Sequence, residues 1–313
     1  MKLLFAALLF IFAGAATAQN VTRIVVPFAA GGVQDILARA LSAELGTQLG
    51  RNVIVENRPG AGNTIGTGFV AKAAPDGNTL ILAAASHTIS GSLYAKLAYH
   101  PINDFTAVAH IGSVDYVLMI NAEVPAKTTA EFVRYAKANP GKLNYATAGN
   151  GSATHLSMAY FASLAGIEMV HVPFKATGEA INEVLAGRAH AVIAANIGAL
   201  AFVKDSRVRM LGSTGAKRSR FLPELPTVAE SGVPGYEFDS WLGLLAPAGT
   251  PRTTVEQINA AMGALLKDPV ILERLTKQGI EPQHLGLEAF NALLRDDFTK
   301  MARVVKASGA RID

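Results

Sequence analysis

A strand, loop, helix, strand unit recurs along this chain, and that alternation restricts the fold more than any other feature. Thr22 to Pro27 is an apolar run rich in β-branched residues, and it ends in the small-residue loop Phe28 to Gly32. Leu37, Leu41 and Leu45 follow at i, i+4 and i+8, one stripe of a helix that Gly46 and Gly50 bring to an end. Val53 to Val55 is the next strand, closed by Arg58-Pro59-Gly60, and Pro75-Asp76-Gly77 turns the chain into the strand Thr79 to Ala83. The middle repeats the alternation. Strands are expected at Tyr116 to Ile120, Leu143 to Thr147, Met169 to Pro173, Ala191 to Ala195 and Val208 to Ser213. Helices are expected after Thr128, over Ser152 to Leu164 and over Gly178 to Ala186. Such a pattern predicts an α/β architecture with mainly parallel strands.

The last third differs. Lys217 to Gly235 is rich in Pro, Gly and Ser, and Phe238 to Ala246 is an apolar run stopped by Pro247. Helices are expected over Thr254 to Leu266, Pro269 to Lys277 and Glu288 to Ala307. Thr128 with Glu131 and Thr253 with Glu256 read as capping boxes, and Asp268-Pro269 as a helix start.

The N-terminus indicates the compartment. Lys2 precedes the apolar run Leu3 to Ala13 and an A-x-A pattern ending at Ala18, the order of a secretory signal peptide. The run is shorter than the roughly 20 residues that span a bilayer. Residues 1–18 are therefore expected to be a cleaved leader, with a periplasmic protein beginning at Gln19. There is no cysteine among the 313 residues, which excludes thiol nucleophiles and cysteine-held metals. The net charge of +4 is spread along the chain, without the basic run that nucleic-acid binding uses. The seven histidines form no H-x-H or H-x-x-x-H pair, so no metal or cofactor is called for.

In open α/β sheets, ligands sit beyond the carboxyl ends of strands and against helix N-termini. Four such loops have suitable chemistry. Phe28, Ala29, Ala30, Gly31 and Gly32 let backbone N–H groups approach an anion, with Asp35 in the helical turn that follows. Asn150, Gly151, Ser152, Thr154 and His155 form a second anion-compatible helix start, with Ser152 as N-cap. Ser152 and His155 also invite a nucleophile–base reading, but no third group orients the histidine. Lys175 offers a cation and Thr177 a cap before the helix at Gly178, while Ser86, His87 and Thr88 would line a pocket wall. Trp241 reads as core.

These stretches, taken in order, resemble the Bug family of receptors for tripartite tricarboxylate transporters. The resemblance rests on Val26 to Arg39, Val55 to Thr67, Ala74 to Ala83, Leu143 to Met158, His171 to Ala180, Ala216 to Glu237 and Trp241 to Pro251. It implies a two-lobed periplasmic solute-binding fold of the Venus flytrap kind (type II), each lobe a sheet flanked by helices. Residues 19–118 and 240–313 would form one lobe and 119–239 the other, with the chain crossing near Val117 to Asn121 and Phe238 to Leu245. It also implies a monomer that holds a small organic carboxylate through backbone groups and waters of the loops Phe28 to Gly32 and Asn150 to Thr154. The cargo would pass to one large and one small inner-membrane subunit. Two positions depart from the family pattern. Gln34 stands where Thr is usual. The strand end Ile193-Ala194-Ala195-Asn196 lacks the acid of a common Asp-Asn pair, leaving Asn196 and, for a ligand amine, Asp35. A secreted Ser/His hydrolase or transferase, and a binding component for an ABC transporter or a sensor, remain as other readings.

Overall fold

Alternate residues of the first strand, Val21–Val26 (β1), belong to different cores: Val25 packs on one face of the sheet, Ile24 and Val26 on the other. The same division holds in Thr79–Ala84 (β3), where Ile81 and Ala83 oppose Leu80 and Leu82. A strand apolar on both sides requires helices on both faces, which is why these runs read as continuously hydrophobic. A computed structural model describes residues 21–310; the leader and its cleavage site lie outside them.

Between β1 and β3 run helix Val33–Leu49 (α1), strand Asn52–Asn57 (β2), a short 3₁₀ turn Ala61–Asn63 and helix Thr64–Ala71 (α2). Helix Ala85–Leu93 (α3) follows β3 directly, and then comes strand Phe105–Asn121 (β4). The second series is helix Thr129–Ala138 (α4), strand Asn144–Thr147 (β5), helix Ala153–Ala165 (α5), strand Val170–Pro173 (β6), helix Thr177–Leu185 (α6), strand Ala191–Ala195 (β7), the short helix Asn196–Leu200 (α7) and strand Val208–Ser213 (β8). Strand Asp239–Pro247 (β9), helices Arg252–Leu265 (α8) and Pro269–Lys277 (α9), strand Glu281–Pro282 (β10) and helix Leu287–Ser308 (α10) complete the described chain.

The ten strands of the described residues join one sheet, ordered β2-β1-β3-β9-β4-β7-β5-β6, with β8 and β10 also on β4. The first part of β4 pairs with β9 as far as Asp115, and the second part, from Tyr116, pairs with β7. The two parts of the sheet share one plan. Around β9 and β4 the order is 2-1-3-9-4, and around β4 and β8 it is 6-5-7-4-8. The series β1-α1-β2-α2-β3-α3 therefore has its counterpart in β5-α5-β6-α6-β7-α7, an internal structural repeat that the sequence does not show.

Strand direction places the loops. β1, β2 and β3 run parallel to one another, and β3 and β4 are each antiparallel to β9, so all three run with β4. β7 is antiparallel to β4 and parallel to β5, which is parallel to β6. Since β4 runs from the first lobe into the second, the carboxyl ends of β1–β3 face the second lobe. Those of β5–β7 face the first. Helix α10 packs on both α3 and α5 and so bridges the lobes. Among the described residues no helix is long and apolar enough to cross a membrane.

Three local expectations need correction. The strand expected at Tyr116 begins eleven residues earlier, at Phe105, because a half-polar stretch containing His110 and Ser113 is buried between β9 and β10. Thr253 does not cap α8. Pro251 occupies that place, and Glu256 instead takes the Arg252 guanidinium at 2.7 Å. Three helices, α2, α3 and the short α7, were not expected. α2 contains Gly66 and Gly68, which weaken a helical signal. Gly66 is required there, since a Cβ would meet the Arg58 carbonyl at 2.7 Å. α3 starts with no loop at all.

Candidate functional site

The four loops singled out above are the segments that follow β1, β3, β5 and β6, and Asn196 follows β7. The topology thus gathers every candidate position at the facing ends of the two lobes. The loops after β1 and β5 are equivalent members of the repeat, as are Ser86 and Asn196 at the starts of α3 and α7.

In the first lobe, Ala29, Ala30 and Gly31 are exposed and Phe28 and Gly32 half-buried. Gly32 caps α1 without a side chain, so the first-turn N–H groups have no capping oxygen. The loop is held from below by Asp35, which is 4% exposed. Its carboxylate accepts from the Gly31 N–H (2.9 Å), Arg39 Nε (3.0 Å) and Asn57 Nδ2 (2.9 Å), and Asn57 Nδ2 also donates to the Phe28 carbonyl. Burial works to raise this carboxyl's pKa, but Arg39, Gly31 and Asn57 outweigh it and hold it below the usual carboxylate range. Asp35 is therefore committed to shaping the loop and its charge is matched by Arg39. The expectation that it remains for a ligand amine is corrected.

In the second lobe, Ser152 caps α5 as expected: its Oγ accepts the His155 N–H and donates to the Gly149 carbonyl at 2.7 Å. Thr154 Oγ1 accepts the Ala148 N–H at 2.8 Å, and the two hydroxyls lie 2.9 Å apart. His155 Nδ1 accepts the Gly151 N–H, which puts the imidazole proton on Nε2. Its ring stacks on His171, centroids 4.1 Å apart, with Tyr145 beyond. Burial, reinforced by His171, lowers its pKa to about 4. Among the described residues no hydrogen bond joins the Ser152 hydroxyl to an imidazole nitrogen, so the pair is a cap and a loop brace rather than a nucleophile and base. Asn150 is exposed at the tip.

Three other positions differ from expectation. Thr177 lies inside α6. Ala176 is at the cap, and Glu179 closes the turn by accepting the Lys175 N–H. Lys175 is exposed, and its ammonium has no acidic partner among the described residues. His87 and Thr88 are not pocket walls, because α3 begins at once and turns both inward. His87 Nε2 meets the Pro101 carbonyl at 2.7 Å within a cluster of Tyr99, Phe105 and Trp241, and burial lowers its pKa to about 4. Thr88 donates to Asp297, which also accepts from Trp241 Nε1. Ser86 alone of the three is half-exposed.

Asn196 is fully buried, and neither polar atom of its amide has a hydrogen-bond partner. It sits against Gly279 of the first lobe. Sequence reading missed Asn63, at the start of α2, which is 2% exposed with φ at 96° and an unpartnered Oδ1. Its signal was an Asn directly after Gly60-Ala61-Gly62, since Asn tolerates the left-handed region better than most residues.

A family model described as tripartite tricarboxylate transporter family receptor matches residues 37–310. A protein encoded in the tcbD-tcbE intergenic region of Pseudomonas sp. (strain P51) is 34% identical over 282 residues, covering 90% of this chain and 84% of its own length. The structure of Rpa4515 of R. palustris with adipate superposes with a TM-score of 0.80 at 32% identity, over 93% of this chain and 98% of that one. The periplasmic binding protein BugD gives 0.77 at 33% identity, over 93% and 98%. The expected resemblance and the α/β solute-binding fold are borne out: the chain belongs to the tripartite tricarboxylate transporter family receptors, and it is a solute receptor.

Proposed function

We propose that the protein is exported to the periplasm, closes its two lobes on a small organic carboxylate, and hands it unchanged to a membrane transporter of one large and one small subunit. The lobes are taken as residues 19–118 with 240–313, and 119–239. One observation carries this reading. Two equivalent helix starts, at Phe28 to Gly32 and at Asn150 to Thr154, follow strands that run in opposite senses along β4, each toward the other part of the sheet, and present small residues with backbone N–H groups. Helix N-termini favour negative charge through these donors and the helix dipole. Neither loop contains a basic side chain. Charge on the ligand would be met by backbone N–H groups and ordered waters, since the Ser152 hydroxyl spends its proton on the Gly149 carbonyl, and water-mediated bonds lose little enthalpy. The adipate held by Rpa4515 is a ligand of the class this chemistry suits.

Native mass spectrometry of protein purified from its host tests the reading. The expected result is a polypeptide beginning at Gln19 with a non-covalently bound small carboxylic acid. A chain retaining Lys2 would refute export by cleavage, and an adduct on Ser152 would replace the receptor with an enzyme.

A further inference from the structure

The turn between β2 and α2 holds two non-glycine residues in the left-handed region, Ala61 at φ 43° and Asn63 at φ 96°. Such residues persist where their surroundings over-determine them, and they gather at ligand sites. Here the bracing is explicit. Tyr94 Oη donates to the Ala61 carbonyl at 2.8 Å, the Asn63 N–H donates to the Gly60 carbonyl, and Thr67 Oγ1 donates to the Asn63 carbonyl at 3.0 Å.

The amide of Asn63 has one orientation. Its neighbour at 3.0 Å is the Ser86 carbonyl, which only accepts, so Nδ2 points there. Oδ1 is then left as an acceptor, shut away from solvent and without a partner. Glycine at this position would remove both the backbone strain and the orphaned acceptor. Asn63 follows β2 and Ser86 follows β3, and both strand ends face the second lobe. A buried acceptor held there at such cost calls for a donor that the chain does not supply.

We propose that Asn63 is a specificity-determining residue whose Oδ1 accepts a hydrogen bond from a ligand hydroxyl, so that the receptor selects a hydroxycarboxylate over the unsubstituted acid. This rests on the carboxylate reading above and adds the second functional group. A hydroxyl fits better than an ammonium, because the carboxylates at these strand ends are engaged. Asp35 is held by Arg39, Glu56 lies against Arg23 and Arg58, and Glu179 accepts the Lys175 N–H.

Calorimetry with matched pairs, succinate against malate and adipate against hydroxyadipate, on the wild type and on Asn63→Gly, is the test. The variant suits the backbone angle but loses the Nδ2 bond to the Ser86 carbonyl, so its melting temperature should stay close to that of the wild type. In the wild type the hydroxy acid of at least one pair should bind about tenfold tighter, the equivalent of roughly 1.4 kcal/mol. Asn63→Gly should bind the unsubstituted acid as before and lose the preference. Binding of both members of each pair with equal affinity would overturn the proposal and leave the carboxylate reading intact, with Oδ1 holding water only. Retention of the preference in Asn63→Gly would also overturn it. Binding of none of the four acids would count against the carboxylate reading itself, and this inference would fall with it.

Discussion

Replacing Asp35 by Ala removes the acceptor that ties the β1–α1 loop together. Three donors lose their partner: the Gly31 N–H, the Arg39 guanidinium and Asn57 Nδ2. Arg39 is largely exposed and regains water, so little of the cost falls there. Asn57 keeps the Phe28 carbonyl. The Gly31 N–H and the remaining capacity of Asn57 Nδ2 each lose a bond to a charged group, about 1.5–3 kcal/mol apiece. Together these would come to about 3–6 kcal/mol, but Gly31 is exposed and its N–H regains water, so the expected loss is near the lower end, about 3 kcal/mol, with melting lowered by several degrees. Ligand affinity should fall at least about tenfold as well, because Gly31 is no longer fixed. Calorimetry and melting on Asp35→Ala and Asp35→Asn check this. Asp35→Asn keeps one acceptor oxygen and should lie between the wild type and Asp35→Ala. If Asp35→Ala melts as the wild type does and only binding falls, Asp35 reads the ligand and does not shape the loop.

Acidification should destabilise the fold. Burial lowers the pKa of His87, His110 and His155 to about 4, against 6.5 in an unfolded chain. The unfolded chain therefore binds more protons between those values, and stability falls as pH drops from about 6.5 to about 4. Asp297, pushed up to about 6 by burial, and Asp115 and Asp239, raised by the same cause, act in the opposite sense, but burial also lowers His171 and His190, so five histidines stand against three carboxyls. A lower melting temperature at pH 4.5 than at pH 7 is expected, and a higher one would contradict these assignments. Gly279 has φ of +69°, and a Cβ there would sit 2.8 Å from Asn196 Oδ1 and 2.9 Å from Ile197 Cβ. Gly279→Ala should cost at least about 1–2 kcal/mol from the backbone alone, read by chemical denaturation; an unchanged midpoint would show that this contact between lobes is not made in solution.

The alternation of strands and helices was legible because buried strands are apolar on both faces, as Ile24, Val25 and Val26 are. So was the cap at Ser152, a local bond three residues long. What could not be read depends on distant chain. Phe105 to Asp115 is a strand because β9 and β10 flank it, and nothing nearby in sequence announces those partners. His87 looked like a wall residue because polar side chains after a strand suit a pocket. Its place is set by Pro101, Phe105 and Trp241, which meet it only in the fold. Asp35 was visible as a candidate, but its role was decided by Asn57, at the end of β2.

The central claim is that backbone donors at the two equivalent helix starts read a carboxylate. The most direct measurement is calorimetry with an acid that co-purifies with the protein and with its primary amide. The amide keeps the shape but loses the charge, and it turns an acceptor into a donor facing donors. Hydrogen bonds to charged groups are worth about 1.5–3 kcal/mol each, so the acid should bind at least roughly 30-fold tighter, which is about 2 kcal/mol. Equal affinity for the acid and the amide would contradict the account.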